Sequence, residues 1–268
     1  MDIITIIGFA AAILIGVSLG LIGGGGSILT VPVLVYILNV DPVLATAYSL
    51  FVVGSTSLVG AGTFMKKGLV NYRTAIVFAI PSFITVFLTR KFLVPWLPDV
   101  LFKMGETVIT KNIGIMVFFA LIMLAASISM ITGKNCKDCD ENQELKFNYP
   151  MIALEGSIVG VVTGIVGAGG GFLIIPALVL LARLPMKMAV GTSLLIIAAK
   201  SLIGFLGDIG TQTIDWKMLL IFTGLSIIGI FIGSALSKKI NEKILKTGFG
   251  WFVLVMGIYI IGKELFAL

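Results

Sequence analysis

Apolar segments separated by short polar stretches follow one another along nearly the whole chain, and this pattern predicts membrane-spanning helices. The apolar segments cover residues 3–22, 27–38, 43–63, 71–94, 111–132, 150–166, 171–182, 187–207, 215–237 and 247–266. A helix needs about 20 mainly apolar residues to cross the roughly 30 Å hydrocarbon core of a bilayer. The segments 27–38 and 171–182 have about 12 residues each and would rise only about 18 Å, so each is predicted to be a half-helix.

Composition excludes the main alternatives to a membrane protein. Of the 268 residues, 58% are hydrophobic and 12% are charged, whereas a soluble domain has about 45–50% apolar and about 25% charged residues. The chain therefore has too little polar surface for a soluble globule, and a disordered chain, a nucleic-acid binder and a disulfide-stapled secreted domain are also excluded. The net charge of +6 arises in short loops between apolar segments, where basic residues set topology.

The two halves of the chain form an internal repeat. A shift of 144 residues places Gly16 on Gly160 and aligns residues 16–83 with residues 160–227 without a gap. The matched identical pairs include Gly16–Gly160, Gly20–Gly164, Gly23–Gly167, Gly25–Gly169, Gly26–Gly170 and Pro32–Pro176. An apolar composition easily produces chance matches of leucine and valine, but it does not easily produce five glycines and a proline in register.

Loop charges predict that the two repeats are inverted. The loop at 66–73 carries three basic residues and no acidic one, whereas its equivalent at 208–217 carries two acidic residues and one basic residue. Because Lys and Arg accumulate on the cytoplasmic side, these equivalent loops are expected on opposite sides of the membrane. This arrangement leaves four basic residues on the outside, against the rule: Arg90, Lys91, Lys103 and Lys111. The stretch 96–108 between them is interpreted as an interfacial helix.

The predicted fold is an all-α polytopic membrane protein with two inverted repeats of about five segments each. Residues 1–132 form the first transmembrane repeat, 133–149 a polar cytoplasmic linker, and 150–268 the second transmembrane repeat. A glycine-rich break precedes the short half-helix of each repeat, and both breaks are expected to be unwound and to meet around a shared cavity. Inverted repeats with interrupted helices are a recurrent architecture of secondary transporters.

The two glycine-rich breaks are the main candidate for a ligand site. Their residues are Gly23, Gly24, Gly25, Gly26 and Ser27 in the first half, and Gly167, Ala168, Gly169, Gly170 and Gly171 in the second. Irregular backbone survives at membrane depth only where protein buries it or where it lines a polar cavity. The short helices, expected to begin at Ser27 and Gly171, would direct unpaired amides and the positive dipole end at an anion. The alternative is that the glycines permit close helix packing, which is the preferred interpretation for Gly16 with Gly20 and Gly160 with Gly164.

The duplicated glycine motif resembles that of the TauE/SafE sulfite exporter family. It is written Gly16-x3-Gly20-x2-Gly23-x-Gly25-Gly26-x5-Pro32 and Gly160-x3-Gly164-x2-Gly167-x-Gly169-Gly170-Gly171-x4-Pro176. The resemblance covers essentially the whole chain. It implies export of small sulfur-containing anions, such as sulfite, sulfoacetate or other organosulfonates, across the bacterial cytoplasmic membrane. The expected partners are the small anion and the lipid bilayer, without a cofactor or nucleic acid, and a homodimer is left open.

Lys200 is the strongest charged candidate for anion binding. It lies within a long apolar segment, and charges inside membrane segments usually face a cavity or a partner. Its long side chain could instead snorkel to the interface near Asp208. Ser49, Thr192 and Ser193 could donate hydroxyl groups to an oxyanion, although such residues in membrane helices often bond to their own backbone.

The remaining polar candidates are weaker. Glu155 could carry a coupling proton, but a place in the cytoplasmic interface is the preferred interpretation. Cys136 and Cys139 form one Cys-x-x-Cys pair in a chain without histidine, which is not a complete zinc site; they are interpreted as reduced cytoplasmic thiols. An anion channel and an importer of thiosulfate or another small anion remain alternatives to an exporter. An intramembrane enzyme is disfavoured because the sequence offers no nucleophile–base pair, and a scaffold would leave the breaks unexplained.

Overall fold

The computed structural model describes residues 3–104, 107–132, 149–167, 169–180, 184–210, 213–236 and 242–266. Its α-helices are α1 (Ile3–Ile22), α2 (Thr30–Pro32), α3 (Pro42–Met65), α4 (Tyr72–Leu88), α5 (Val94–Trp96), α6 (Lys111–Thr132), α7 (Tyr149–Val166), α8 (Gly171–Leu180), α9 (Met186–Leu206), α10 (Trp216–Leu236) and α11 (Glu242–Phe266). Among the described residues, five segments are long and apolar enough to cross a membrane: Pro42–Met65, Tyr72–Trp96, Lys111–Ile128, Lys187–Leu206 and Trp216–Leu236. The protein is a helical, multi-pass membrane protein.

The predicted half-helices are both short helical segments in the structure. In the first half, a 3₁₀ turn (Gly24–Leu29), α2 and a π-helical turn (Val33–Ile37) follow one another without interruption, and we call residues 24–37 the first short helix. Its equivalent is α8, the second short helix. The expectation that the first short helix begins at Ser27 is wrong, because the glycines from Gly24 onward already adopt 3₁₀ geometry.

Side-chain caps fix where the long helices begin. The Asp41 carboxylate accepts hydrogen bonds from the Val43 and Leu44 amides at the start of α3. The Asn71 side chain accepts one from the Thr74 amide at the start of α4, and its repeat equivalent Asp215 accepts one from the Met218 amide at the start of α10. Each cap satisfies amides that have no partner within the first turn of a helix.

Helix packing follows the internal repeat. The contact of α1 with α10 has its equivalent in the contact of α7 with α4, and the contact of α3 with α10 has its equivalent in that of α9 with α4. The pairs α3–α9 and α6–α11 each join two helices that correspond to each other in the repeat. A two-fold relation between the halves produces this set of contacts. The inverted orientation of the halves across the bilayer stays a prediction from the loop charges.

The paired glycines of α1 and α7 lie against neighbouring backbones. A Cβ built on Gly16 would meet the Ser226 carbonyl on α10, and one on Gly20 would lie 2.5 Å from the Ile230 carbonyl oxygen. On α7, Gly160 approaches the backbone of Ser82 in α4 in the same way. These positions therefore serve close helix packing of the small-xxx-small kind.

The stretch 96–108 is not an interfacial helix. It contains most of an antiparallel hairpin of β1 (Val100–Met104) and β2 (Thr107–Thr110), in which Phe102 pairs with Ile109. Branched and aromatic residues in this stretch favour extended backbone over helix. The hairpin leads directly into α6, whose residue Asn112 donates a hydrogen bond to the Asp41 side chain.

Candidate functional site

Both long helices that precede the glycine clusters end at equivalent residues. Helix α1 ends at Ile22 and α7 at Val166. The next residues, Gly23 and Gly167, have φ angles of +75° and +70°, a backbone conformation that glycine adopts without steric cost. In the first break only Gly23 leaves helical geometry, so the expectation that the whole cluster is unwound is wrong there.

The second break is longer. Gly169 and Gly170 also have positive φ angles, of +64° and +65°, and α8 begins at Gly171 as the sequence predicts. Ala168 lies outside the described residues. The two breaks therefore differ in length although their starting points are equivalent.

The two breaks touch each other at the centre of the protein. A Cβ built on Gly24 would collide with the backbone of Gly171, and one built on Gly171 would collide with the backbone of Gly24. A Cβ on Gly169 would lie 3.4 Å from the Cβ of Ser27. The breaks thus meet, as predicted, but Gly24 and Gly171 are in direct backbone contact, so the expected cavity does not separate these two residues.

Lys200 is fully buried and points at the second break. Its Nζ donates a hydrogen bond to Thr163 Oγ1 of α7 at 3.1 Å and would lie 2.6 Å from a Cβ built on Gly170. The side chain is 0% exposed, so it does not snorkel to the protein surface. The described residues place no carboxylate within salt-bridge distance of it.

The first break has no equivalent of this arrangement. The residue equivalent to Lys200 is Thr56, and the residue equivalent to Thr163 is Leu19. Thr56 is buried and its hydroxyl has no hydrogen-bond partner in the described part of the chain. The two breaks are therefore electrostatically asymmetric, and the lysine charge lies beside the second break.

The predicted hydroxyl groups have different environments. Ser27 Oγ donates to the Gly24 carbonyl at 2.7 Å, and Ser193 Oγ donates to the Val190 carbonyl at 2.8 Å. Ser193 Oγ would also lie 3.5 Å from a Cβ built on Gly23. Ser49 is buried, and its Oγ has no partner among the described residues.

Thr192 joins two helices of the scaffold. Its Oγ1 accepts a hydrogen bond from the Asn71 amide, at the residue that caps α4. The repeat equivalent of this bond runs from the Asp215 amide to the Tyr48 hydroxyl. Because the same contact recurs in the other half with a different side chain, Thr192 has a structural function that does not require a ligand.

Sequence reasoning missed a second buried cation, Arg90. It follows α4 in the π-helical turn Thr89–Leu93 and is 0% exposed. Its Nε donates to the Asp208 carboxylate at 2.8 Å and its Nη1 donates to Thr46 Oγ1 at 2.9 Å. The available signal was an arginine inside the apolar segment 71–94, which the loop-charge analysis treated as an external residue.

Asp208 and Thr46 connect Arg90 to its surroundings. Burial raises the pKa of the Asp208 carboxyl group, while the charge of Arg90 acts in the opposite direction. Thr46 is in turn the nearest neighbour of a Cβ built on Gly167. One threonine therefore separates the Arg90 guanidinium from the start of the second break.

Among the other predicted polar residues, the structure describes only Glu155. Glu155 is half-buried in the second turn of α7. Cys136 and Cys139 lie outside the described residues. Within the ranges that the structure describes, no group of three or more His, Cys, Asp or Glu residues could hold a metal ion.

Comparison with known proteins identifies a family and several relatives to which the chain is similar. The model of the sulfite exporter TauE/SafE family matches residues 8–260. A probable membrane transporter protein of Xylella fastidiosa strain 9a5c is 28% identical over 255 residues, which cover 94% of this chain and 92% of that protein. The probable membrane transporter protein YunE of Bacillus subtilis is 24% identical over 286 residues, which cover 97% of this chain and 99% of YunE. No solved structure matches the chain.

Proposed function

We propose, from the premise that this chain belongs to the TauE/SafE sulfite exporter family, that it exports small sulfur-containing anions. The protein is a membrane transporter, as its family and its relatives indicate. Our proposal adds the substrate class, which comprises sulfite, sulfoacetate and other organosulfonates. It also adds the direction of transport and the location in the cytoplasmic membrane.

The observation that carries the proposal is the burial of Lys200 against the second break. An anion that leaves water must be compensated for its lost hydration. The N-terminus of a helix such as α8 contributes about 0.3–1 kcal/mol at exposed sites and up to about 2 kcal/mol when partly buried. A full positive charge beside the break supplies the larger part of the compensation.

The transport step follows from the repeat. The main helix contacts join one half to the other in equivalent pairs, such as α1–α10 and α7–α4, and the two breaks touch where the halves meet. Rocking of the helices about the contact between the breaks would expose the breaks to each side of the membrane in turn, as in transporters built from inverted repeats. The substrate would stay at the second break while access to it alternates.

Uptake by proteoliposomes in which the orientation of the protein is determined tests the substrate class and the direction of transport. Purified protein is reconstituted and assayed with labelled sulfite, thiosulfate, sulfoacetate, taurine and sulfate, with Lys200→Met as the paired variant. We expect concentrative, Lys200-dependent transport of sulfite or of an organosulfonate. Transport of thiosulfate alone would favour the importer, flux that only equilibrates the anion would identify a channel, and no flux of any of these anions would overturn the proposal.

A further inference from the structure

Arg90 is a buried guanidinium whose hydrogen bonds are incomplete. The structure describes a partner for Nε, which is Asp208, and a partner for Nη1, which is Thr46. Nη2 is buried and has no partner among the described residues. Buried polar groups in native proteins almost always have a partner, and each exception requires an explanation.

The position of Arg90 supplies that explanation. Its partner Thr46 lies against Gly167, where the second break begins, and Lys200 lies against Gly170, three residues further along. Three residues of extended chain span at most about 11 Å. Lys200 therefore lies against one end of this short backbone segment, and a single threonine separates Arg90 from its other end.

Neither cation has an equivalent at the first break. The residue equivalent to Arg90 is Ser234, and the residue equivalent to Thr46 is Val190. If this salt bridge only held the helices together, it would have no reason to lie near one of the two breaks. The cluster of Arg90, Thr46 and Asp208 instead coincides with the break that Lys200 also contacts.

We propose that Arg90 is a second anion-binding residue of the transport pathway, whose unpaired Nη2 donates a hydrogen bond to an oxygen of the transported oxyanion at the Gly167 end of the second break. This proposal rests on the proposed function. A guanidinium suits this role because its planar donors match the oxygens of sulfite, sulfonate or carboxylate groups. Asp208 orients the guanidinium and limits its attraction, so the anion is bound but can leave.

The alternative is a purely structural ion pair, and charge-neutral variants separate the two roles. We would measure the dissociation constants of sulfite and sulfoacetate for the purified full-length protein in an uncharged detergent, which offers no anionic lipid headgroup. The variants are Arg90→Gln, Asp208→Asn and the double variant Arg90→Gln/Asp208→Asn. Arg73→Gln is the matched control, since Arg73 is exposed at the other end of the same helix.

We expect Arg90→Gln to weaken binding about tenfold or more, as loss of a charge-assisted hydrogen bond does. Asp208→Asn should tighten binding, because Arg90 loses its competing carboxylate, and sulfite should raise its unfolding temperature by more than that of the wild type. The double variant removes both buried charges together. It should therefore unfold near the wild-type temperature and still bind the anion as weakly as Arg90→Gln.

The double variant decides between the two roles. If it recovers both wild-type stability and wild-type affinity, the pair is structural only and the proposal is wrong. If Arg90→Gln does not fold, the affinity of the double variant still gives the answer. If the wild type binds neither probe, the proposed function fails and this proposal fails with it, whereas binding that depends on Lys200 but not on Arg90 overturns this proposal alone.

Discussion

The first and second glycine breaks share a backbone plan but differ in their chemistry. Each follows a long helix that ends at an equivalent residue, and each begins with a glycine of positive φ, Gly23 or Gly167. In the part of the chain that the structure describes, a buried lysine contacts the second break and Thr46 separates a buried arginine from it, whereas Thr56 and Ser234 are at the equivalent positions near the first break. The shared plan comes from glycine positions, whereas the two buried cations come from different halves and lie near one break.

This difference shows how a duplicated transporter can separate architecture from recognition. The contact between the breaks does not itself follow the repeat, because it joins Gly24 and Gly171, whose repeat equivalents are Ala168 and Ser27. The charges need not be matched, because one anion requires a compensating cation only once. We therefore expect changes at the Gly24–Gly171 contact to disturb both breaks, and changes of charge to matter at the second break.

The largest expected effect concerns the orientation of the two halves. In a variant with Cys136 and Cys139 replaced by serine, we would introduce single cysteines at Lys67 and at Thr213, both exposed. A membrane-impermeant maleimide should label Lys67→Cys only from the cytoplasmic side and Thr213→Cys only from the outside, because their loops differ in charge. Labelling of both from the same side would show that the repeats are parallel.

The helix segments could be predicted closely because hydropathy is a local property. The segment 111–132 coincides with α6, and the clusters at Gly23 and Gly167 mark the ends of α1 and α7. The start of the first short helix was misplaced at Ser27, since a glycine run can adopt 3₁₀ turns as readily as an irregular path. The hairpin at 100–110 was not predicted, because a short stretch between two apolar segments also fits an interfacial helix. Its branched and aromatic residues favour extended backbone instead.

The candidate site was harder to predict because it depends on tertiary contacts. Lys200 was visible as a lysine within apolar sequence, but its contact with Gly170 was not. Arg90 pairs with Asp208, 118 positions away in sequence, and no periodic pattern connects them. Loop charges alone place Arg90 and Asp208 in loops on the membrane surface. They do not show that these two charges neutralise each other inside the protein.

The second prediction concerns the contact between the breaks. Gly24→Ala and Gly171→Ala should each lower stability by about 1–3 kcal/mol, because the added methyl group collides with backbone that cannot move aside easily. Both variants should lose most transport. Gly224→Ala is the control, since nothing lies within 4 Å of a Cβ built there. Thermal unfolding in detergent together with proteoliposome uptake measures these effects, and a Gly24→Ala protein as stable as Gly224→Ala would contradict the contact.

Lys200→Met is expected to change the stability of the folded protein least, although it should weaken anion binding. Replacement of a buried charge by an apolar side chain of similar length is often neutral or stabilising, so the unfolding temperature should stay the same or rise. Anion affinity should fall about tenfold or more, because a hydrogen bond to a charged group contributes about 1.5–3 kcal/mol. Lys200→Arg should retain part of the affinity, since a planar fork replaces a compact charge.

The matched change at the first break completes this prediction. Thr56→Val removes the equivalent polar side chain without altering charge, and we expect its anion affinity to stay within about twofold of the wild type, which corresponds to about 0.4 kcal/mol. Affinities measured for both variants at the same salt concentration and pH compare the two breaks directly. Equal losses at Thr56 and Lys200 would mean that the anion contacts both breaks alike. An intact Lys200→Met protein with wild-type affinity would mean that backbone amides alone hold the anion, and the electrostatic distinction between the breaks would then have no part in substrate binding.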